Sequence, residues 1–103
     1  MGVTNWVYIL ASDRNGTLYV GSTSELGLRL EEHRSGQGSK FVRKYGVYTL
    51  VYFEIAASKE DALHREHQLK RWRRKWKLDL IEADNPTWAD LTEVARKAVA
   101  REW

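Results

Sequence analysis

The sequence predicts an α+β fold, a small three-stranded mixed or antiparallel sheet flanked by helices in the order ββαβαα. Three observations carry this prediction. Two short runs rich in β-forming residues flank turn chemistry near the N-terminus, a third such run stands in mid-chain, and apolar residues recur at helical spacing around it. A hairpin where a crossover helix would otherwise be speaks against an all-parallel sheet, and 103 residues accommodate one modest core.

Trp6-Val7-Tyr8-Ile9-Leu10 is the first strand and Thr17-Leu18-Tyr19-Val20-Gly21 the second. The hairpin has two open registers. A two-residue turn on Asn15-Gly16 sets Tyr19 opposite Ser12, whereas a longer loop centred on Asp13-Arg14 sets Tyr19 opposite Tyr8. A first helix begins after Thr23 or Ser24 as N-cap and runs to about Arg34, with Gly36 beyond its end. Residues 48–54 form the third strand, with Thr49, Val51 and Phe53 on one face and Tyr48, Leu50 and Tyr52 on the other. Ser58-Lys59-Glu60-Asp61 opens a second helix that continues through a basic stretch toward Lys75. Asn85-Pro86 opens a third, with Asn85 as N-cap and Leu91, Val94, Ala95, Ala98 and Val99 as its apolar stripe. There is no repeat or linker, so residues 1–103 are expected to form a single domain.

Five Trp, five Tyr and two Phe supply large buried areas for so small a chain. With no cysteine there is no thiol nucleophile, no thiolate metal site and no disulfide scaffold, which favours an intracellular, cytoplasmic protein. No basic leader with a long apolar run and no segment of membrane-spanning length is found, so no membrane association is expected. The net charge of +3 is unevenly spread. Residues 34–44 hold four basic side chains and residues 65–77 hold seven, against one acid, Glu66. Such a field suits a polyanionic partner, and a merely solvated helix face accounts for it equally well.

Some residues stand out on their helices. On a 3.6-residue wheel, Arg29 and His33 share an arc with Leu26 and Leu30, and Glu66 falls between Ala62, Leu69 and Leu63. A half-buried carboxylate there is either ion-paired, with Arg29 or Lys70, or a cation ligand. His33 alone is ordinary as a packing or capping residue, Tyr8 and Tyr19 as amphipathic core residues, and Asn85 as a cap.

Taken in order and spacing, these residues resemble the GIY-YIG nuclease superfamily, in particular its small single-domain bacterial members. Val7-Tyr8 stands at the first signature and Tyr19-Val20-Gly21 at the second. Thr23, Arg29 and His33 follow in a first helix containing Leu28-Arg29-Leu30-Glu31-Glu32-His33-Arg34, then Leu50-Val51-Tyr52-Phe53-Glu54, then residues 62–70 around Glu66, and finally Asn85-Pro86-Thr87-Trp88. The resemblance runs from about Trp6 to Leu91. Trp6 replaces the glycine that opens the first signature in many members, and the distance from Glu66 to Asn85 varies among branches.

The resemblance implies a metal-dependent endonuclease that hydrolyses DNA phosphodiester bonds, in repair or processing, with RNA not excluded. It implies catalytic roles for Tyr8, Tyr19, Arg29, His33, Glu66 and Asn85. Glu66 would hold one divalent cation, Mg²⁺ or Mn²⁺. Tyr8 would be the general base, needing nearby positive charge or a hydrogen-bonded relay because a phenol titrates near 10. Tyr19 is one candidate for that relay, and His33 would assist proton transfer or orient Tyr8. Arg29 would grip the scissile phosphate. Lys40, Arg43, Lys44, Lys70, Arg71, Arg73 and Arg74 would hold flanking phosphates, and Trp72 and Trp76 either stack on unpaired bases or pack on the sheet. The expected state is a monomer, with a protein partner as one source of specificity. Two other readings stand beside this one: a non-catalytic or partner-dependent nucleic-acid-binding module, and a protein-interaction domain with a solvated basic face.

Overall fold

The structure is a computed structural model that describes residues 3–99; residues 1–2 and 100–103 of the expected domain lie outside the described residues. Strands β1 (Asn5–Ala11), β2 (Leu18–Thr23) and β3 (Thr49–Ala56) form one antiparallel sheet in the order β2-β1-β3. Helices α1 (Leu26–Arg34), α2 (Lys40–Tyr45), α3 (Lys59–Arg71), α4 (Arg74–Asp84) and α5 (Thr92–Ala98) complete the chain. The α+β class and the antiparallel sheet agree with the sequence; the helix count and order differ, ββααβααα in place of ββαβαα.

The hairpin takes neither register expected from sequence. Its loop is Asp13 to Gly16, closed by Gly16 N–H to Asp13 carbonyl at 2.9 Å, with Asn15 in the left-handed region at φ 59°. Centring the loop between Arg14 and Asn15 pairs Tyr19 with Leu10 and Tyr8 with Gly21. In β3 the expected alternation breaks at a bulge opposite Ile9 and Leu10, so that Val51 and Tyr52 both pack on one face while Leu50 and Phe53 pack on the other.

Two cores result, one on each face of the sheet. Trp6, Tyr8, Leu10 and Leu50 pack against Leu26 and Leu30 of α1, Val42 of α2 and Ala95 of α5. Val7, Ile9, Val20 and Val51 pack against Ala62 and Leu69 of α3 and Ile81 of α4. The central strand β1 supplies fully buried residues to both, because its neighbours on either side and helices on either face exclude water.

Helix α1 starts later than expected, at Leu26, and Thr23 Oγ1 accepts from Glu25 N instead of capping it. Helix α2 was not anticipated; Ser39 caps it by accepting from Phe41 N and Val42 N, and Gly46 stops it at φ 64°. The long second helix is in fact two. Trp72 and Arg73 are extended, which turns Trp72 into the second core and restarts the helix at Arg74. Asn85 is the C-cap of α4 and not the N-cap of a third helix. Its amide donates to the Val51 and Ala89 carbonyls and its Oδ1 accepts from Ala89 N, folding residues 85–89 into a turn so that α5 starts only at Thr92. With Leu91 N donating to Leu50 O at 2.7 Å, this segment runs alongside β3. The outer edge of β2 has no such cover from a third strand.

Candidate active site

The first core face ends in a cluster of three rings. Tyr8 projects from β1 and Tyr19 from β2 on the same face, two positions out of step, with ring centroids 6.3 Å apart. His33, near the end of α1, sits 5.3 Å from the Tyr19 ring, and its Nε2 lies 3.1 Å from the Tyr8 hydroxyl. Two glycines make this packing possible. A Cβ on Gly21 would lie 2.6 Å from Tyr8 Oη, so only the bare backbone of β2 lets the Tyr8 ring lie across it toward the sheet edge. A Cβ on Gly38 would lie 2.6 Å from His33 Nδ1.

Burial sets the protonation of the pair. Desolvation, with the charges of Tyr19, Glu66 and Glu32 adding to it and Arg29 opposing, holds the Tyr8 phenol well above its ordinary 10.0. Desolvation together with the Arg29 guanidinium holds His33 below 6.5, with Glu32 opposing. Both groups are therefore neutral at neutral pH. With Tyr8 donating to Nε2, the imidazole carries its own proton on Nδ1, an atom that is buried and has no hydrogen-bond partner.

Arg29 stands one helical turn before His33 and is half-exposed, paired loosely with Glu32 at 3.4 Å. Its charge is felt by both Tyr8 and His33.

Glu66 approaches from the other face of the sheet. Ser22, the next residue of β2, pairs with Val7 on that second face, and its hydroxyl donates to Glu66 Oε1 at 2.5 Å. Lys70, one turn further along α3, donates to Oε2 at 2.6 Å. The carboxylate is 14% exposed and the lysine 50%. The expectation that Glu66 is ion-paired or a cation ligand is thus met on its first side, with Lys70 and not Arg29 as partner. The two halves of the site do not share one face; they meet around β2, where the Glu66 charge acts on Tyr8 across Gly21 and Ser22.

The structure does not bring Asn85 into this group. All of its side-chain hydrogen bonds go to the backbone of β3 and of its own turn, and none goes to the other five residues. The basic residues divide similarly. Lys40, Arg43 and Lys44 lie on α2, which buried Val42 anchors in the first core and whose Phe41 ring lies 6.2 Å from that of Tyr19. Lys70 is engaged by Glu66, and Arg74 donates to the Asn15 and Gly16 carbonyls at 2.8 and 2.6 Å, clamping the hairpin loop. Arg71 is exposed at the end of α3, and Arg73 lies 5.7 Å over the ring of Trp76. Trp72 packs on the second core while Trp76 stays 49% exposed. Ser22 and Gly21 were not singled out for these roles in the sequence; Gly21 sits in the second signature, but nothing in an isolated serine announces its bond to Glu66.

Among the described residues no group of three or more His, Cys, Asp or Glu converges as a metal site, and no helix is long and apolar enough to cross a membrane. A family profile described as the GIY-YIG catalytic domain matches residues 4–79, which includes Tyr8, Tyr19, Arg29, His33 and Glu66 and stops short of Asn85. A UPF0213 protein of Clostridium perfringens is 42% identical over 77 residues, 75% of this chain and 82% of that one. A UPF0213 protein of Staphylococcus aureus is 37% identical over 78 residues, 76% and 94% of the two chains. The solution structure of a UPF0213 protein from Bacillus halodurans superimposes with a TM-score of 0.53 at 31% identity, covering 87% of this chain and 95% of that one. With its paired tyrosines, its first-helix arginine and histidine and its third-helix glutamate inside the matched span, the chain belongs to the GIY-YIG family of nuclease domains, in the branch of small UPF0213 relatives.

Proposed function

We propose that the protein is a metal-dependent endonuclease that hydrolyses phosphodiester bonds in DNA. The observation that carries the reading is the neutral Tyr8–His33 pair, hydrogen-bonded at 3.1 Å, set between the Arg29 cation and the Glu66 anion. Glu66 fits a single hard cation. Its carboxylate is mostly buried, its ammonium partner is half-exposed and replaceable, and among the described residues no group of three or more His, Cys, Asp or Glu gathers around it, which suits Mg²⁺ or Mn²⁺ with a largely aqueous shell and not zinc. Bound there, the ion would supply positive charge to the departing oxygen.

The chain's own residues supply the rest. A phenol held above its usual pKa is a weak base by itself, but Tyr8 can take a proton from the attacking water while passing its own to His33 Nε2. The neutral imidazole is ready to receive it. Tyr19 packs on both rings, but the hydrogen bond to the Tyr8 hydroxyl is made by His33, which is the relay partner in this reading. Arg29 offers forked donors to the scissile phosphate, and its proximity favours the transient phenolate. Lys40, Arg43, Lys44, Arg71 and Arg73 would meet flanking phosphates without choosing a sequence.

The test is cleavage of labelled single-stranded, duplex, nicked and branched DNAs with Mg²⁺ or Mn²⁺, for the wild type and Glu66→Gln. Metal-dependent cutting by the wild type and none by the variant, with DNA affinity and fold retained, is the expected result. Glutamine keeps an acceptor for Ser22, and the released Lys70 ammonium is half-exposed and can be hydrated, so stability should change by about 1 kcal/mol. A wild type that binds DNA and never cuts would favour a binding module instead.

A further inference from the structure

Along the outer edge of β2, on the side of the hairpin loop, lies a cleft of about 320 Å³ lined by Leu18, Tyr19, Val20, Phe41, Lys70 and Lys77. Its walls come from both layers: Phe41 from α2 on one face, Lys70 and Lys77 from α3 and α4 on the other. Lys77 is the anomaly. Arg65 pairs with Glu54, Lys70 with Glu66, Lys75 with Asp79, and Arg74 donates to loop carbonyls. Lys77 alone among these is half-buried with neither an anion nor a hydrogen-bond acceptor within reach, although it lies near a second cation, Arg74. Burial and that neighbour both disfavour its charged form. An ammonium partly withdrawn from water and given no counter-charge weakens the free protein, and such a position is explained when an anion completes it. Opposite it, Phe41 is 42% exposed and forms a row of rings with Tyr19 at 6.2 Å and Tyr45 at 4.8 Å, Tyr45 itself lying 5.4 Å from the Lys44 ammonium. Exposed rings between cations are the chemistry of a stacking platform for a polyanion's bases.

We infer that this cleft is a nucleotide subsite next to the scissile bond, in which Lys77 holds a backbone phosphate and Phe41 supports the base of the same nucleotide, unpaired from its complement. Tyr19 belongs to both the cleft and the ring cluster, so a strand lying along β2 passes from one into the other. The inference rests on the nuclease reading for its occupant, and extends it by naming Lys77 and Phe41 and by placing an unpaired nucleotide beside the cut.

The experiment measures binding of a labelled single-stranded 12-mer DNA in EDTA across a salt series for wild type, Lys77→Met, Phe41→Ala and Lys75→Met, the last removing the same charge from the same helix. Lys77→Met should lower the slope of log affinity against log salt by about 0.7, the value for one phosphate contact on a single strand. Phe41→Ala should weaken binding about fivefold or more with the slope unchanged. The melting temperature of Lys77→Met should equal or exceed that of the wild type, because an uncompensated charge is removed. A Lys77→Met variant that matches Lys75→Met in slope and affinity overturns the subsite, as does a Lys77→Met that melts lower. The two readings separate cleanly: normal cutting with an unaltered Lys77→Met sinks the subsite alone, while the expected binding changes without any metal-dependent cutting sink the nuclease alone. A wild type that binds no oligonucleotide overturns the subsite, and cleavage of the DNA panel with Mg²⁺ or Mn²⁺ then decides the nuclease reading alone.

Discussion

Replacing Gly21 by alanine should damage the protein in a way ordinary glycine substitutions do not. Gly21 has no positive φ, so alanine adopts its backbone conformation without strain, and the usual effect of such a change is a stabilisation of roughly 0.4–1 kcal/mol through the unfolded chain. Here the new methyl would lie 2.6 Å from Tyr8 Oη, 2.7 Å from Cζ and 3.1 Å from the Tyr19 ring. Ordinary contact begins at 3.4 Å, so the Tyr8 ring must withdraw by about 0.8 Å. It has nowhere easy to go, being buried between Trp6, Leu10 and α1 and tied to His33 at 3.1 Å. Overpacking of this kind costs about 1–3 kcal/mol, which reverses the sign expected of an unencumbered glycine. In a domain of this size it lowers the melting temperature by roughly 4–8 °C for each kcal/mol. Misplacing the Tyr8 hydroxyl by nearly 1 Å should slow cleavage about 100-fold while DNA affinity holds. Urea denaturation and single-turnover cleavage check both halves. A Gly21→Ala protein that melts higher than the wild type and cuts at the same rate would refute the close packing of Tyr8 over β2.

Stability should rise with pH through the region just below 6.5. His33 is held below that value in the fold, so there the unfolded chain binds a proton that the native state does not; the contribution is complete above about 6.5 and is lost as the pH falls, and urea midpoints at pH 5, 6 and 7 should show this trend flattened in His33→Gln. Asn85→Ala should cost about 1–3 kcal/mol by leaving the Val51 carbonyl and the Ala89 amide without their partners, yet the cleavage rate per folded molecule should not change. Arg74→Met should lower stability by about 1 kcal/mol through the hairpin loop and leave the salt dependence of DNA binding nearly untouched, a combination readable from denaturation and a salt titration together.

What was legible in the sequence follows the strength of local signals. The three strands announced themselves through consecutive β-branched and aromatic residues, and Ser58 capped α3 as its chemistry required, accepting from Asp61 N at 3.0 Å. Helix α2 carries matching signals in Ser39 and Gly46, but six residues are too few for a periodicity to emerge. The break between α3 and α4 has no glycine or proline to mark it; the burial of Trp72 and the reach of Arg74 to the hairpin loop are tertiary causes. Asn85-Pro86 misled because the same pair suits a helix start and a turn, and the Val51 carbonyl that decides between them is 34 residues away. For the site, Tyr8, Arg29, His33 and Glu66 were each visible as residue types at family spacing. The register that lays Tyr8 over Gly21 with Tyr19 beside it was not, because it depends on a loop centre lying between the two turns that local chemistry favours.

The sheet is one strand wide on the side where the site lies, and each half of the site is fastened to a different core. Tyr8 and His33 take their positions from the layer containing α1, and Glu66 from the layer containing α3; neither layer holds the other's groups. A chain in which only one layer has condensed would carry either a proton relay with no carboxylate or a carboxylate with no relay. On the proposed nuclease reading, cutting would therefore require both layers to be in place around β2, and a chain with one layer condensed would carry only half of the site.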